Sequence, residues 1–143
     1  MPGSRPSLPA CLASVALALC GAAPTDAIDA PLLGLPGDPA RGLAVVTRPS
    51  STCVLCHAGP FANPHLQGDI GPDLRGVGAR LSAGQLRLRL VDAARANPDT
   101  VMPSFYTTEG RNRVGAAWRG RTILTAAEIE DAVAYLATLS TPP

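Results

Sequence analysis

Cys53-Val54-Leu55-Cys56-His57 is the stretch that decides how the rest of this 143-residue chain is read. Two thiols three residues apart can add to the two vinyl groups on one edge of a porphyrin. The adjacent histidine is then carried beneath the iron, where an imidazole nitrogen coordinates. The order therefore predicts one covalently bound haem c, attached through Cys53 and Cys56, with His57 as an axial ligand. Other chemistries also use a Cys-x-x-Cys pair. A thioredoxin-like redox pair needs a strand–helix setting, and no βαβ pattern occurs here. A structural zinc site needs four ligands, and His65 is the sole plausible addition. A plain disulfide fits the spacing as well. The surroundings favour haem: an export signal upstream, a glycine-rich wrap downstream and helical patterning throughout.

The wrap is the segment 58–80, which holds Gly59, Pro60, Pro64, Gly68, Gly71, Pro72, Gly76 and Gly78. That density of breakers makes a long loop, and long loops in compact domains usually enclose something functional. Within it, Gly71-Pro72-Asp73-Leu74 places a proline carbonyl where it can accept the second N–H of a ligating imidazole. An ordinary turn explains the same residues equally well. Met102 lies 45 residues after His57, in the polar stretch Asp99-Thr100-Val101-Met102-Pro103. A thioether there is poorly placed for filling a core, and it is the expected sixth ligand. His65 is the rival, and an exposed loop histidine is its plainer reading.

Periodicity supplies the helices. One is expected after Asp38, which can cap, with Pro39 in the first helical position and Gly42, Leu43 and Val46 facing inward. A second opens with Ser82 and Gln85 as a capping box, carries Leu86, Leu90 and Ala93/Ala94, and runs until Asn97-Pro98 stops it. The third opens with Thr125 and Glu128 and carries Ile129, Ala132, Val133, Leu136 and Leu139 as one stripe. No segment reads convincingly as a strand. The fold class is all-α: three to four short helices wrapped around the haem. Phe61, Phe105, Tyr106, Trp118 and Tyr135 are all the aromatics, so a buried porphyrin would supply bulk that the side chains lack.

The N-terminus reads as a secretory signal: Arg5, then the apolar run Leu8–Ala23, then small residues before Ile28. The run is shorter than the ~20 residues a membrane span needs. Residues 1–27 are assigned to a removed signal peptide, 28–36 to a lead-in and 37–143 to the haem domain. Cys11 and Cys20 leave with the signal; a lipid anchor at Cys20 is disfavoured by the bulky Leu19 before it. The expected location is the periplasm, with no membrane span in the mature protein.

Net charge is +1, which gives no reason to expect nucleic acid as a partner. All twelve basic residues are arginine, so any anion-binding surface must use guanidinium. Arg75, Arg80, Arg87 and Arg89 follow the wrap, where one or two can pair with haem propionates. Arg111, Arg113, Arg119 and Arg121 cluster after Met102, and a solvated surface and an anion- or partner-facing patch explain them equally.

These residues resemble class I cytochrome c at the Cys53–His57 motif, at Gly71-Pro72-x-Leu74, at Met102 and at Ala134-Tyr135-Leu136 in the terminal helix. In that fold the first and last helices cross closely, and Gly42 and Tyr135 look like the small-and-aromatic pair of the crossing. A narrower resemblance is to the SoxX cytochromes, the smaller subunits of SoxAX complexes of bacterial sulfur oxidation. It is carried by Gly71–Ser82, by Asn97–Tyr106, and by Asn112-Arg113-Val114 followed by Trp118–Thr125, and spans residues 37–139. The resemblance implies a heterodimer with a larger SoxA-type haem subunit, which joins thiosulfate oxidatively to a cysteine of a SoxYZ-type carrier. Electrons would pass through the haem of this chain to a small cytochrome c acceptor. In the family the sulfur–sulfur bond forms at a SoxA haem bound by a modified cysteine. The mature chain here keeps no third cysteine, so it is expected to relay electrons and not to catalyse alone. The haem motifs by themselves fit a free-standing electron shuttle as well.

Overall fold

Six α-helical segments follow one another in the computed structural model, which describes residues 26–142: α1 (Pro39–Thr47), α2 (Cys53–Cys56), α3 (Val77–Arg80), α4 (Ala83–Val91), α5 (Ala93–Ala96) and α6 (Ala126–Thr138). Short 3-10 turns lie at Leu32–Gly34, Pro49–Ser51, Pro64–Leu66 and Ala116–Trp118, and no strand occurs among the described residues. The fold is all-α, as the periodicity predicts. Three helices have nine or more residues, and three are single turns of four. Most of the signal segment 1–27, with Cys11 and Cys20, lies outside the described residues. Among the described residues, no helix is long and apolar enough to cross a membrane.

The helix starts follow from local chemistry. The Asp38 carboxylate accepts from the Arg41 N–H at 2.8 Å, with Pro39 in the first turn. Ser82 with Gln85, and Thr125 with Glu128, each complete a reciprocal capping box. The second helix ends earlier than its periodicity predicts. Asp92 leaves helical geometry at φ −148° and its carboxylate caps the Arg95 N–H, so α5 begins a new turn. Ala93 stays buried, whereas Ala94 faces outward.

α1 packs closely across α6. A Cβ on Gly42 would overlap the Asp131 carbonyl and stand 2.6 Å from the Cβ of Tyr135. The buried side of α1 is Gly42, Val45 and Val46, spaced i, i+3, i+4. Leu43, expected inward, is 41% exposed, because the turn that buries Gly42 carries Val45 and not Leu43 towards α6. α6 contributes Ile129, Ala132, Val133 and Leu136, and α4 contributes Leu86 and Leu90.

A buried ion pair joins α4 to α6. Arg87 meets Glu130 through two parallel hydrogen bonds, Nε–Oε1 at 2.7 Å and Nη2–Oε2 at 2.8 Å. Their side chains are 5% and 3% exposed. Charges this deep are tolerated when their remaining groups are also bonded. Arg87 donates in addition to the carbonyls of Ile28 and Asp29, and Glu130 accepts from the Leu32 N–H at 2.8 Å. The pair thus ties the segment before α1 to the helices. Arg87 is thereby removed from the arginines that can serve haem propionates, because its guanidinium is already committed within the protein.

Candidate functional site

The local fold around Cys53 begins with Thr52, whose left-handed backbone (φ 61°) turns the chain into α2. The single turn closes when the His57 N–H donates to the Cys53 carbonyl at 2.9 Å. It points both cysteines and His57 at one cavity. Three backbone bonds then lay the following loop against this turn: Gly68 N–H to Val54 O, Gly71 N–H to Cys56 O, and Leu74 N–H to Ala58 O, at 2.9, 2.7 and 2.8 Å. Cys53 and Cys56 are free thiols, not a disulfide. Burial pushes the Cys53 thiol above its ordinary pKa, with a hydrogen bond to the Ser51 carbonyl opposing part of that shift.

His57 is fixed by what its ring touches. Nδ1 lies 2.7 Å from the Pro72 carbonyl oxygen. A carbonyl can only accept, so Nδ1 carries the proton and Nε2 is left with the lone pair a metal uses. Gly71 packs flat on the same ring; a Cβ there would collide with it. Gly71 is therefore needed for its missing side chain, and Pro72 for its carbonyl.

Another part of the cavity wall is built from the segment after α5. The Phe105 and Thr107 N–H groups donate to the carbonyls of Leu90 and Val91, at 2.8 and 2.9 Å. The Ser104 hydroxyl accepts from the Ala93 N–H at 3.1 Å. These bonds hold Met102 against the core, half-buried and lining the same cavity as His57. Its own N–H donates to the Thr100 hydroxyl at 3.1 Å. His65 sits exposed in the Pro64–Leu66 turn and does not line that cavity.

The cavity measures about 660 Å³. Leu74, Val77, Leu81, Leu86, Leu90 and Phe105 supply much of its wall, and Arg80 and Arg89 reach it as cations. Arg80 donates to the carbonyls of Arg75 and Asp73, each at 2.8 Å. Arg75 is bonded to Asp73, whose carboxyl those hydrogen bonds hold down at about 2. A haem fits this donor set: unpaired thiols, one imidazole with a defined lone pair, one thioether and apolar walls converge on one cleft. Sequence reasoning named these polar residues from short motifs. It missed the apolar wall from α3 and α4, because nothing in the local pattern says which side of a short helix meets a cofactor.

Among the described residues, no group of three or more His, Cys, Asp and Glu side chains could hold a metal ion elsewhere. The cytochrome c family model matches residues 40–140. Curated proteins give no match. Among solved structures, the crystal structure of SoxXA from P. pantotrophus matches at 36% sequence identity and a TM-score of 0.72, over 80% of this chain and 90% of that one.

Proposed function

The chain belongs to the cytochrome c family, as a SoxX-type electron-transfer cytochrome carrying covalent haem c, and from that premise we propose that it is the relay subunit of a thiosulfate-conjugating heterodimer. Cys53 and Cys56 would hold the haem by thioether bonds, and His57 and Met102 would ligate its iron. Pro72 orients His57 through the 2.7 Å contact to Nδ1. The partner is a larger SoxA-type haem subunit, the location is the periplasm after removal of residues 1–27, and residues 37–143 form the haem domain.

One observation carries this reading: an imidazole and a thioether line the same apolar cleft. The bound group supplies reversible one-electron chemistry. With His57 and Met102 both serving as ligands, the residues of the chain would leave the iron no open position for a substrate. No cysteine beyond Cys53 and Cys56 occurs among the described residues to hold a substrate sulfur. The sulfur–sulfur bond therefore forms on the partner, joining thiosulfate to a SoxYZ-type carrier cysteine with release of two electrons. Those electrons leave one at a time through this subunit to a small cytochrome c.

The test mixes this chain, the SoxA-type subunit, carrier and thiosulfate, and follows haem reduction by absorbance as each component is omitted. Reduction is expected only in the complete mixture. Rapid reduction of the isolated chain by thiosulfate would overturn the relay reading, and reduction that ignores the larger subunit would favour a free-standing shuttle.

A further inference from the structure

The arginines sort into groups by what they touch. Arg41, Arg48, Arg75 and Arg87 are each in an ion pair with a carboxylate. Arg80 and Arg89 line the haem cleft. Arg111, Arg113 and Arg119 form no ion pair among the described residues, yet they line one separate concavity of about 300 Å³. Thr108, Val114 and Gly120 complete its wall, so no acidic side chain enters it. Three like charges around one hollow repel one another, and an anion between them removes that cost.

We propose that this hollow is a binding site for a small doubly charged tetrahedral oxoanion, of the size and charge of sulfate. Two of the three arginines are tethered to backbone carbonyls. One Arg111 Nη donates to the Ser104 carbonyl, and Arg119 Nε donates to Val114 O at 3.5 Å. Arg113 sits in a left-handed conformation (φ 59°), between left-handed turns at Gly110 and Gly120 (both φ 67°). Such backbone positions are uncommon for a non-glycine residue. They curl the segment back so that arginines far apart in an extended chain share one hollow. Guanidinium forks offer paired donors that match adjacent oxygens of an oxoanion, and pre-positioned donors lose less freedom on binding. The guanidinium of Arg113, the remaining N–H groups of Arg111 and Arg119, and the Thr108 hydroxyl are the donors. Nearby Glu109 does not line the hollow, and Arg121 is turned aside, its guanidinium 5.8 Å from the ring centre of Trp118.

The site is tested by calorimetric titration of the haem-loaded protein with sodium sulfate, at constant ionic strength maintained with chloride. Perchlorate, with the same shape and one charge, is titrated in parallel. Saturable one-to-one binding of sulfate is expected, with perchlorate at least about tenfold weaker. R113Q and R119Q should each weaken sulfate binding by about tenfold or more, the usual loss for a charge-assisted hydrogen bond. R95Q removes an exposed arginine outside the hollow and should bind sulfate as the unaltered chain does. R111Q also breaks the bond to Ser104, so R113Q and R119Q, checked for an unchanged haem spectrum, carry the test. Non-saturable sulfate binding, equal affinity for perchlorate, or unaltered affinity in R113Q and R119Q would each overturn the proposal.

Discussion

The helical frame and the irregular ring face each other across one cleft, and they are held together differently. The frame, α1, α4 and α6, is closed by interdigitated aliphatic side chains, by glycine at the α1–α6 crossing and by the buried Arg87–Glu130 pair. The ring, residues 58–76 and 97–124, contains little helix and is hung on the frame by single backbone bonds such as Phe105 N–H to Leu90 O. The frame has redundancy, since many contacts share the load. The ring has little, but it carries both Pro72 and Met102 to the cleft. Changes in the frame should therefore be read out as stability, and changes in the ring as altered iron chemistry in a protein that stays folded.

The largest effect removes what both regions surround. Cys53→Ala with Cys56→Ala should abolish the haem-loaded protein, leaving a cleft of about 660 Å³ for a core with few aromatics to close. In the unaltered chain, haem should survive denaturing electrophoresis and acid–acetone extraction. Haem that extracts freely would refute thioether attachment.

Next comes the frame alone. Glu130→Gln leaves Arg87 charged and buried with no opposing charge, a loss of the kind that costs up to about 3–5 kcal/mol. Against a total stability of roughly 5–15 kcal/mol, urea unfolding should shift far to lower concentration. The visible spectrum of the folded fraction should not change. A spectral change with unaltered stability would mean that the two regions are not separable in this way.

The ring gives the opposite pattern. Met102→Ala should erase the weak near-infrared band of a thioether-ligated ferric haem, admit carbon monoxide or cyanide, and lower the reduction potential. The stability loss should be about 1–2 kcal/mol, below the range for a fully buried methionine because Met102 is half-exposed. His65→Ala, on the same ring but away from the cleft, should leave spectrum and potential alone. Retention of the band in Met102→Ala would transfer the ligand role elsewhere.

What was legible in the sequence follows the same division. Capping boxes and the Cys53–His57 turn are decided by residues within a few positions, so Ser82–Gln85, Thr125–Glu128 and the haem-facing turn could be read directly. The Gly42–Tyr135 crossing was legible only through resemblance, because its partners are far apart in sequence. The Arg87–Glu130 pair was hidden. Arg87, following the wrap, reads as one of the candidates for a haem propionate, and nothing nearby signals a carboxylate 43 residues away. The end of α4 was hidden for a subtler reason. Alanines at 93, 94 and 96 continue a helical pattern, and the competing cap at Asp92 wins by bonding the Arg95 N–H.

The smallest effects separate frame from ring by acid. Asp131 accepts from the Asp38 N–H at 2.8 Å and from Arg41 at 2.7 and 2.8 Å, joining the start of α1 to α6. The Arg41 hydrogen bond is the chief reason its carboxyl lies below the ordinary 3.8, with burial opposing. Asp73, in the ring, is also lowered, to about 2, chiefly by the hydrogen bond from Arg75. The sign is the same for both. A carboxyl that holds its proton less tightly when folded stabilises the protein fully above the unfolded value, and loses that contribution as pH falls through the folded one. The shift at Asp73 does not make it the more important. Its bond to Arg75 spans two residues, lies at the surface and can persist in a locally unfolded loop, whereas the Asp131 contacts span 90 residues or more and exist only in the assembled frame. Asp131→Asn should therefore cost about 1 kcal/mol at neutral pH and flatten the decline of stability below pH 3.8. Asp73→Asn should leave the urea midpoint at neutral pH nearly unmoved. Urea titrations from pH 7 to pH 2 on both variants decide it, and an acid slope unchanged in Asp131→Asn but lost in Asp73→Asn would place the acid-sensitive contact in the ring instead of the frame.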